Sequence, residues 1–304
     1  MQSRVAATPR PPAAGASTLR AVVADYLNLA KPRITLLNRI TTFAALWLAA
    51  RGRPGAALAA ATLVGTALAV GAGAVFNCVL ERDRDALMHR TQGRPLPAGR
   101  LSPAAAWRFG FILTAAGLLV LGLGTTPLAT AIAAGGIVFY AGIYTVLLKT
   151  RTHWNTVLGA VAGAVPPLIG WTAVTGRLDA GALGVAAVVF AWQPVHFWAL
   201  ALRHAEDYRR AGIKMLPVTH GPAVTRRQIL VWTLALFASS LLVHALGLAG
   251  WIYLAAAVAG GLAMLAAAVQ NLRDEGTQAA SRLFHASNLY LGVLYLLMIL
   301  DGTF

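Results

Sequence analysis

The sequence predicts an all-α, polytopic membrane protein of about nine transmembrane helices. Hydrophobic residues make up 58% of the 304 positions and charged residues only 12%, and mean hydropathy is +0.67. Soluble domains do not have that balance. Apolar runs of roughly 17 to 25 residues recur along the chain, the length a helix needs to cross a bilayer. The apolar–polar alternation of a membrane β-barrel is missing. The net charge of +15 is spread over many segments. It forms no single basic patch, and with no nucleic-acid motif present a nucleic acid is excluded as partner.

Residues 1–22 are rich in Ala, Pro and Arg and have no apolar period, so they read as a disordered tail ahead of one transmembrane domain, 23–304. Arg4, Arg10 and Arg20 are not followed by a short apolar core and cleavage site, so no removable secretory signal is expected. The composition leaves a basic organelle-targeting sequence open. The spans expected in order are 34–50, 55–80, 107–124, 126–148, 156–174, 180–202, 228–248, 250–270 and 283–300. With the N-terminus cytoplasmic, inside segments carry 21 Lys and Arg and outside loops three. That bias sets the orientation, N-terminus cytoplasmic and C-terminus outside. It also puts the two long loops, 81–106 and 203–227, on one face. The expected location is a bacterial plasma membrane rather than an organelle inner membrane. Cys78 is the one cysteine, so an intrachain disulfide is impossible, and it reads as a small apolar residue at a helix end.

The first long loop and the helix end before it, Asn77 to Arg100, concentrate charge. Glu81, Asp83 and Asp85 lie within five positions, interleaved with or followed by Arg82, Arg84, Arg90, Arg94 and Arg100. If the preceding helix runs on through Asp85, then Asn77, Glu81 and Asp85 share one face at i, i+4, i+8. An amide and two carboxylates suit Mg²⁺, which completes its shell with water and substrate phosphate. The arginines suit phosphate oxygens. The alternative is a loop whose Arg and Asp pair with each other. The second loop resembles the first: DRDALMHRTQGRPLP in one, EDYRRAGIKMLP in the other. This hints at two related halves with facing loops. Asp207 is then the counterpart of Asp85, and two facing carboxylate sites could clamp a diphosphate through two cations. A plain i, i+4 pair of Arg203 with Asp207 is the alternative.

His196 sits about two turns inside its span, on one helical face with Arg203 and Asp207. It either hydrogen-bonds a neighbour or ligates a haem iron or other metal. Asn38 and Arg39 interrupt the first span. A charged side chain there faces protein or water, or else snorkels to the interface. Gly159, Gly163 and Gly170 fit close helix packing. Pro166-Pro167 is expected to break the fifth span, as helices do beside a cavity. Lys149, Arg151 and Asn155 precede that span.

NCVLERDRDALMHRTQGRPLP resembles the first signature of the UbiA-type intramembrane prenyltransferases, with Asn77, Glu81 and Asp85 at its acidic positions. Within that superfamily the chain is most similar to the protoheme IX farnesyltransferase branch, the haem O synthases. YLNLAKPRITLL, ERDRDALMHRTQGRPLPAGR, TVLGAVAGAVPPLIGW and HFWALALRHAEDYRRAGIKMLPV carry that likeness, which runs from about Tyr26 to Asp301. The resemblance implies a UbiA-like bundle enclosing an intramembrane cavity. It implies Mg²⁺ as cofactor, held by Asn77, Glu81, Asp85 and Asp207. Diphosphate would be bound by Arg33, Arg90, Arg94, Lys149 and Arg151, with Asp85, Arg94, Arg90 and Asp207 as the catalytic set. His196 becomes a candidate for contact with haem. The implied reaction moves the farnesyl group of farnesyl diphosphate onto a vinyl group of haem B, with addition of water. Haem A synthase or oxidase assembly proteins are the further partners it suggests.

The chain departs from the pattern in three places. Glu81 stands where many members have Asp. The second loop offers adjacent Glu206 and Asp207 instead of Asp-x-x-x-Asp, which leaves open how a second cation is held. Lys214 stands where the branch often has Pro. Two competing readings remain from the residues: a prenyltransferase acting on an aromatic or chlorin acceptor, and a transporter of an anionic solute, which a broken span and paired charged loops would suit.

Overall fold

A computed structural model describes residues 18–274 and 276–303, apart from the side chains of Arg33 and Ile34. Among them the chain forms nine long helices and several short ones. A short helix, α1 (Leu19–Leu29), starts inside the stretch read as tail, capped by the Thr18 side chain. Then come α2 (Pro32–Ala49), α3 (Ala56–Leu80), the short α4 (Arg82–Ala86), α5 (Pro103–Gly124) and α6 (Pro127–Arg151). They are followed by α7 (Asn155–Thr175), α8 (Ala180–Arg203), the short α9 (Ala205–Arg210) and α10 (Leu216–Thr219), then α11 (Gly221–Ala245), α12 (Trp251–Arg273) and α13 (Gln278–Leu300).

The nine expected spans are all present as helices. Eight are long and apolar enough to cross a membrane by length and composition. The exception is α2, 18 residues long and interrupted by Arg33, Asn38 and Arg39. Its second half is nonetheless core, with Ala44, Ala45, Leu46 and Leu48 buried. Observed helices overrun the apolar windows at polar ends. For example, α5 begins at Pro103 under a Ser102 cap and α11 begins at Gly221. The backbone keeps its hydrogen bonds past the point where side chains turn polar.

The helices pack as neighbours in a closed arrangement. α2 lies against α3, α7 and α13; α7 against α6 and α8; α8 against α11 and α13; α12 joins α11 to α13, and α5 covers α3. Large apolar side chains point outward, among them Leu123, Phe111, Trp251 and Leu289, as a lipid-facing surface requires. With no hydrophobic drive between helices in lipid, close packing has to hold the bundle. Glycine supplies it as expected. A Cβ at Gly159 would overlap the Tyr144 ring, one at Gly163 the Gln193 amide, and one at Gly170 the Thr42 carbonyl oxygen of α2. The last is a backbone contact with nowhere to yield. Gly170→Ala is therefore expected to cost about 1–3 kcal/mol. Thermal unfolding in detergent reads this, with Gly135→Ala, where the added Cβ meets nothing within 4 Å, as the neutral control.

Pro166 and Pro167 do not break a helix. α7 runs unbroken from Asn155 to Thr175 with both rings buried. Each ring removes one intrahelical hydrogen bond, and packing against α2, α6 and α8 holds the helix together regardless. The irregular helix is α6, whose Phe139–Leu148 section is a π-helix.

Candidate active site

The site starts where α3 ends. Glu81 is the junction residue between α3 and α4, with φ −101° and ψ 5°. The i→i−4 pattern survives the junction: Glu81 N donates to Asn77 O at 3.0 Å and Asp85 N to Glu81 O at 2.7 Å. Asn77, Glu81 and Asp85 so keep the i, i+4, i+8 relation even though α3 itself stops at Leu80. All three are buried, with 2%, 5% and 4% exposure. Buried carboxylates need partners, and the structure supplies cations from other helices.

Lys149 at the end of α6 places Nζ 2.8 and 2.7 Å from the two Glu81 oxygens. Asn77 Nδ2 donates to Glu81 Oε2 at 2.7 Å and to Thr145 Oγ1 at 3.1 Å. Lys31 Nζ donates to Asn77 Oδ1 at 2.8 Å. The π-helical section places two of these groups. Thr145 Oγ1 donates to Tyr140 O at 2.7 Å within that section, and Lys149 follows one turn later. Lys31 stands before Pro32 with φ +51°, a left-handed backbone unusual for a non-glycine residue. That turn aims its side chain back at α3. Burial pushes the Glu81 carboxyl up, but Lys149, Lys31 and the Asn77 amide outweigh it and hold the group below its ordinary value.

Asp85 carries a separate pair, Arg94 Nη1 to Oδ2 at 2.7 Å. The loop between is wound on itself: Thr91, 1% exposed, donates to Asp85 O at 2.9 Å. Arg100 closes it outside, with a forked contact to Asp25 of α1 and bonds to Gly93 O. Arg90, Arg94 and Arg100 line one side of an open cleft of about 350 Å³ whose other side is Asn28, Leu29 and Cys78. Arg90 and Arg151 are exposed, and the Arg33 side chain lies outside the described residues.

The two charged loops do meet. Asp207 of α9, 7% exposed, accepts from His89 N at 3.3 Å on Oδ1 and Arg90 N at 3.4 Å on Oδ2. Arg210 pairs with the same carboxylate and also reaches His89 Nε2 at 2.9 Å. Burial raises the Asp207 carboxyl, yet the two N–H donors and Arg210 hold it below its ordinary value. The expected Arg203–Asp207 pair does not form. α8 ends at Arg203 and α9 restarts at Ala205, so the helical face that was to carry His196, Arg203 and Asp207 is interrupted at His204. Arg203 instead lies over the Phe284 ring at 6.0 Å.

His196 is buried between α8 and α13. Its ring stacks between Trp192 and Phe284, each centroid at 4.3 Å, and Nδ1 meets Ser287 Oγ at 3.1 Å. Cys78 is packed, 2% exposed. The sequence reading passed over Lys31, Thr145, Thr91 and Arg210. Lys31 stood inside YLNLAKPRITLL and Arg210 inside EDYRRAGIKMLP; the two threonines carried no signal.

Among the described residues no three of His, Cys, Asp and Glu converge on a metal point. The donors still fit Mg²⁺. Asn77 Oδ1, the Glu81 carboxylate and Asp85 Oδ2 are hard oxygens in a buried row, and each already faces a positive nitrogen at 2.7–2.8 Å. Two carboxylates and an amide, with substrate phosphate and water to complete the shell, are what that ion takes.

A membrane bundle with buried acids and cations at one end is the class this fold and site define. Residues 39–291 match the UbiA prenyltransferase family, and the chain belongs to that family. A Symbiobacterium thermophilum protein named protoheme IX farnesyltransferase is 49% identical over 284 residues, 93% of this chain and 95% of that protein. One of the same name from Gloeobacter violaceus is 44% identical over 287 residues, 94% of each. Solved structures share the fold. A digeranylgeranylglyceryl phosphate synthase superposes with TM-score 0.76 at 17% identity, over 92% of this chain and 98% of that one. A UbiA homologue from Archaeoglobus fulgidus bound to DMAPP and Mg²⁺ gives 0.62 at 16% identity, over 90% and 99%.

Proposed function

We propose that this integral membrane enzyme transfers the farnesyl group of farnesyl diphosphate to a vinyl group of haem B, with addition of water, to give haem O. The single observation that carries the reading is 49% identity to a protoheme IX farnesyltransferase along nearly the whole chain. The geometry supports the chemistry. The C–O bond of the allylic diphosphate breaks and its electron pair leaves with diphosphate. The vinyl group attacks the farnesyl carbon, and water adds to the carbon left electron-poor.

Mg²⁺ is the cofactor of this reading, held by Asn77, Glu81 and Asp85. When bound it neutralises charge growing on the leaving group. The chain's own cations do the rest: Arg94 and Lys149, with Arg90 and Arg151 nearer the water and with Arg33, bind and orient the diphosphate. Apolar helices keep water from the allylic carbon until the vinyl group reaches it. The excess of Lys and Arg on the loop-bearing face puts that face and the N-terminus in the cytoplasm, with the bacterial plasma membrane as the compartment. Haem A synthase or an oxidase assembly factor is the partner the product implies.

The acceptor is tested by competition. Deuterated farnesyl diphosphate, offered to the purified chain with haem B, 4-hydroxybenzoate and a chlorin together, is expected to label haem B alone. Label on another acceptor would overturn the assignment. His196 is proposed to meet haem through Nε2, since Ser287 holds Nδ1. His196→Ala is then expected to weaken haem B binding about tenfold, the loss of one good contact, and to shift its optical spectrum. Farnesyl diphosphate binding should stay within about twofold. A lower melting temperature with an unchanged haem titration would make His196 a packing residue.

A further inference from the structure

The second loop touches the site at two places, and each includes a hydrogen bond to site backbone. Asp207 turns one carboxylate oxygen to the His89 N–H and the other to the Arg90 N–H. The two groups lie 118 and 117 residues away. Arg210 fixes that carboxylate from the far side and bridges to the His89 ring. Seven residues beyond Asp207 the same loop returns: Lys214 N donates to the Lys149 carbonyl at 3.0 Å, and Asn155 Nδ2 caps the Lys214 carbonyl at 2.8 Å. The loop so spans from the arginine-bearing segment to the lysine that holds Glu81.

The segment it braces is short of other supports. Residues 87–101 form a run of turns with no regular helix. It is anchored by Met88, Thr91 and Leu96, which are buried, by the Arg94–Asp85 pair and by Arg100. None of these fixes the His89–Arg90 peptide, and Asp207 does. A carboxylate taking two successive N–H groups is oriented by the backbone it holds. The Glu81 and Asp85 carboxylates face side-chain cations, which can swing aside for a metal ion, whereas Asp207 faces two backbone N–H groups, which are fixed in the loop.

We propose that Asp207 is a positioning residue, which holds the His89–Arg90 backbone and so sets where Arg90 and Arg94 stand over the departing diphosphate. This rests on the proposed diphosphate chemistry, but its first readout does not. It also answers how a loop without a second pair of spaced acids takes part: it holds the first loop, and the cation load falls on Asn77, Glu81 and Asp85.

The test compares wild type, Asp207→Ala and Asp207→Asn in detergent by three measurements. Hydrogen exchange over residues 87–94 reads the brace without any turnover. Pyrophosphate binding in saturating Mg²⁺ reads the arginines. Mn²⁺ binding followed by electron paramagnetic resonance, without pyrophosphate, reads the metal. Asp207→Ala is expected to speed exchange at the His89 and Arg90 amides at least tenfold and weaken pyrophosphate binding at least fivefold, with Mn²⁺ affinity within twofold of wild type. Asp207→Asn, which keeps one acceptor oxygen, is expected to fall between, and it carries the test if the alanine variant does not fold. A tenfold loss of Mn²⁺ affinity would make Asp207 a metal ligand and overturn the proposal. Faster exchange with unchanged pyrophosphate affinity would also overturn it, leaving a role in folding alone. If wild type binds pyrophosphate yet transfers no prenyl group, the proposed reaction fails and the brace stands.

Discussion

Asp85→Ala is expected to lower kcat for prenyl transfer by about a hundred- to a thousandfold, the range for losing one group that acts on transition-state charge. The side chain is buried, and among the described residues its one partner is Arg94. Removing it takes away a cation ligand of the proposed mechanism and lets Arg94 swing into the adjoining cleft, where water can solvate it. The fold has little packing to lose, so the melting temperature should move by only a few degrees. Steady-state kinetics beside a thermal melt separates the two. Full activity at saturating substrates and Mg²⁺ would remove Asp85 from the chemistry.

Lys149→Met is expected to act on both stability and catalysis. Lys149 holds both oxygens of Glu81, whose side chain is 6% exposed. Breaking a buried pair from one side leaves an uncompensated charge and costs about 3–5 kcal/mol. Lys31, joined to Glu81 through Asn77, softens the loss and puts the expected figure at the lower end, about 3 kcal/mol. Lys149→Met with Glu81→Gln should recover most of that stability and none of the activity, since the proposed diphosphate cation and the proposed metal ligand are then both gone. A double-mutant cycle on melting in detergent measures the coupling. An additive result would mean that the pair does not hold the site.

Much of the architecture could be read from the chain because membrane helices announce themselves. Each needs about 20 apolar residues and satisfies its backbone internally, so hydropathy marks eight plainly, and α2 through its apolar second half. The close approach at Gly170 was legible for the same reason: small residues at helical spacing have few other uses in lipid. What hydropathy does not report is where the i→i−4 ladder slips. The section Phe139–Leu148 is π-helical and leads directly into Lys149, and the local sequence FYAGIYTVLL gives no sign of it. Pro166-Pro167 misled in the opposite direction, since the packing of three neighbouring helices outweighs two lost hydrogen bonds.

The site divided along a similar line. Asn77, Glu81 and Asp85 were legible because three polar side chains at helical spacing closed an apolar run. The Arg94–Asp85 pair is of the kind the loop reading offered, Arg with Asp; the partners from distant helices were not legible. Lys149 lies 68 residues from Glu81, and Lys31 46 residues from Asn77. Those pairs exist only once α2, α3 and α6 have packed. Asp207 shows the limit most clearly. Its spacing from Arg203 suggested a local pair, but α8 stops between them, and the carboxylate instead holds a backbone on the other loop.

The most direct test of the central claim is a single reaction in water enriched in ¹⁸O. Purified chain, farnesyl diphosphate, haem B and Mg²⁺ are incubated in detergent and the porphyrins separated by mass. The account predicts a product heavier than haem B by one farnesyl and one hydroxyl group, with one ¹⁸O atom in it, absent when chelator replaces Mg²⁺. Haem B recovered unchanged beside intact farnesyl diphosphate, under conditions where the chain binds both, would contradict it.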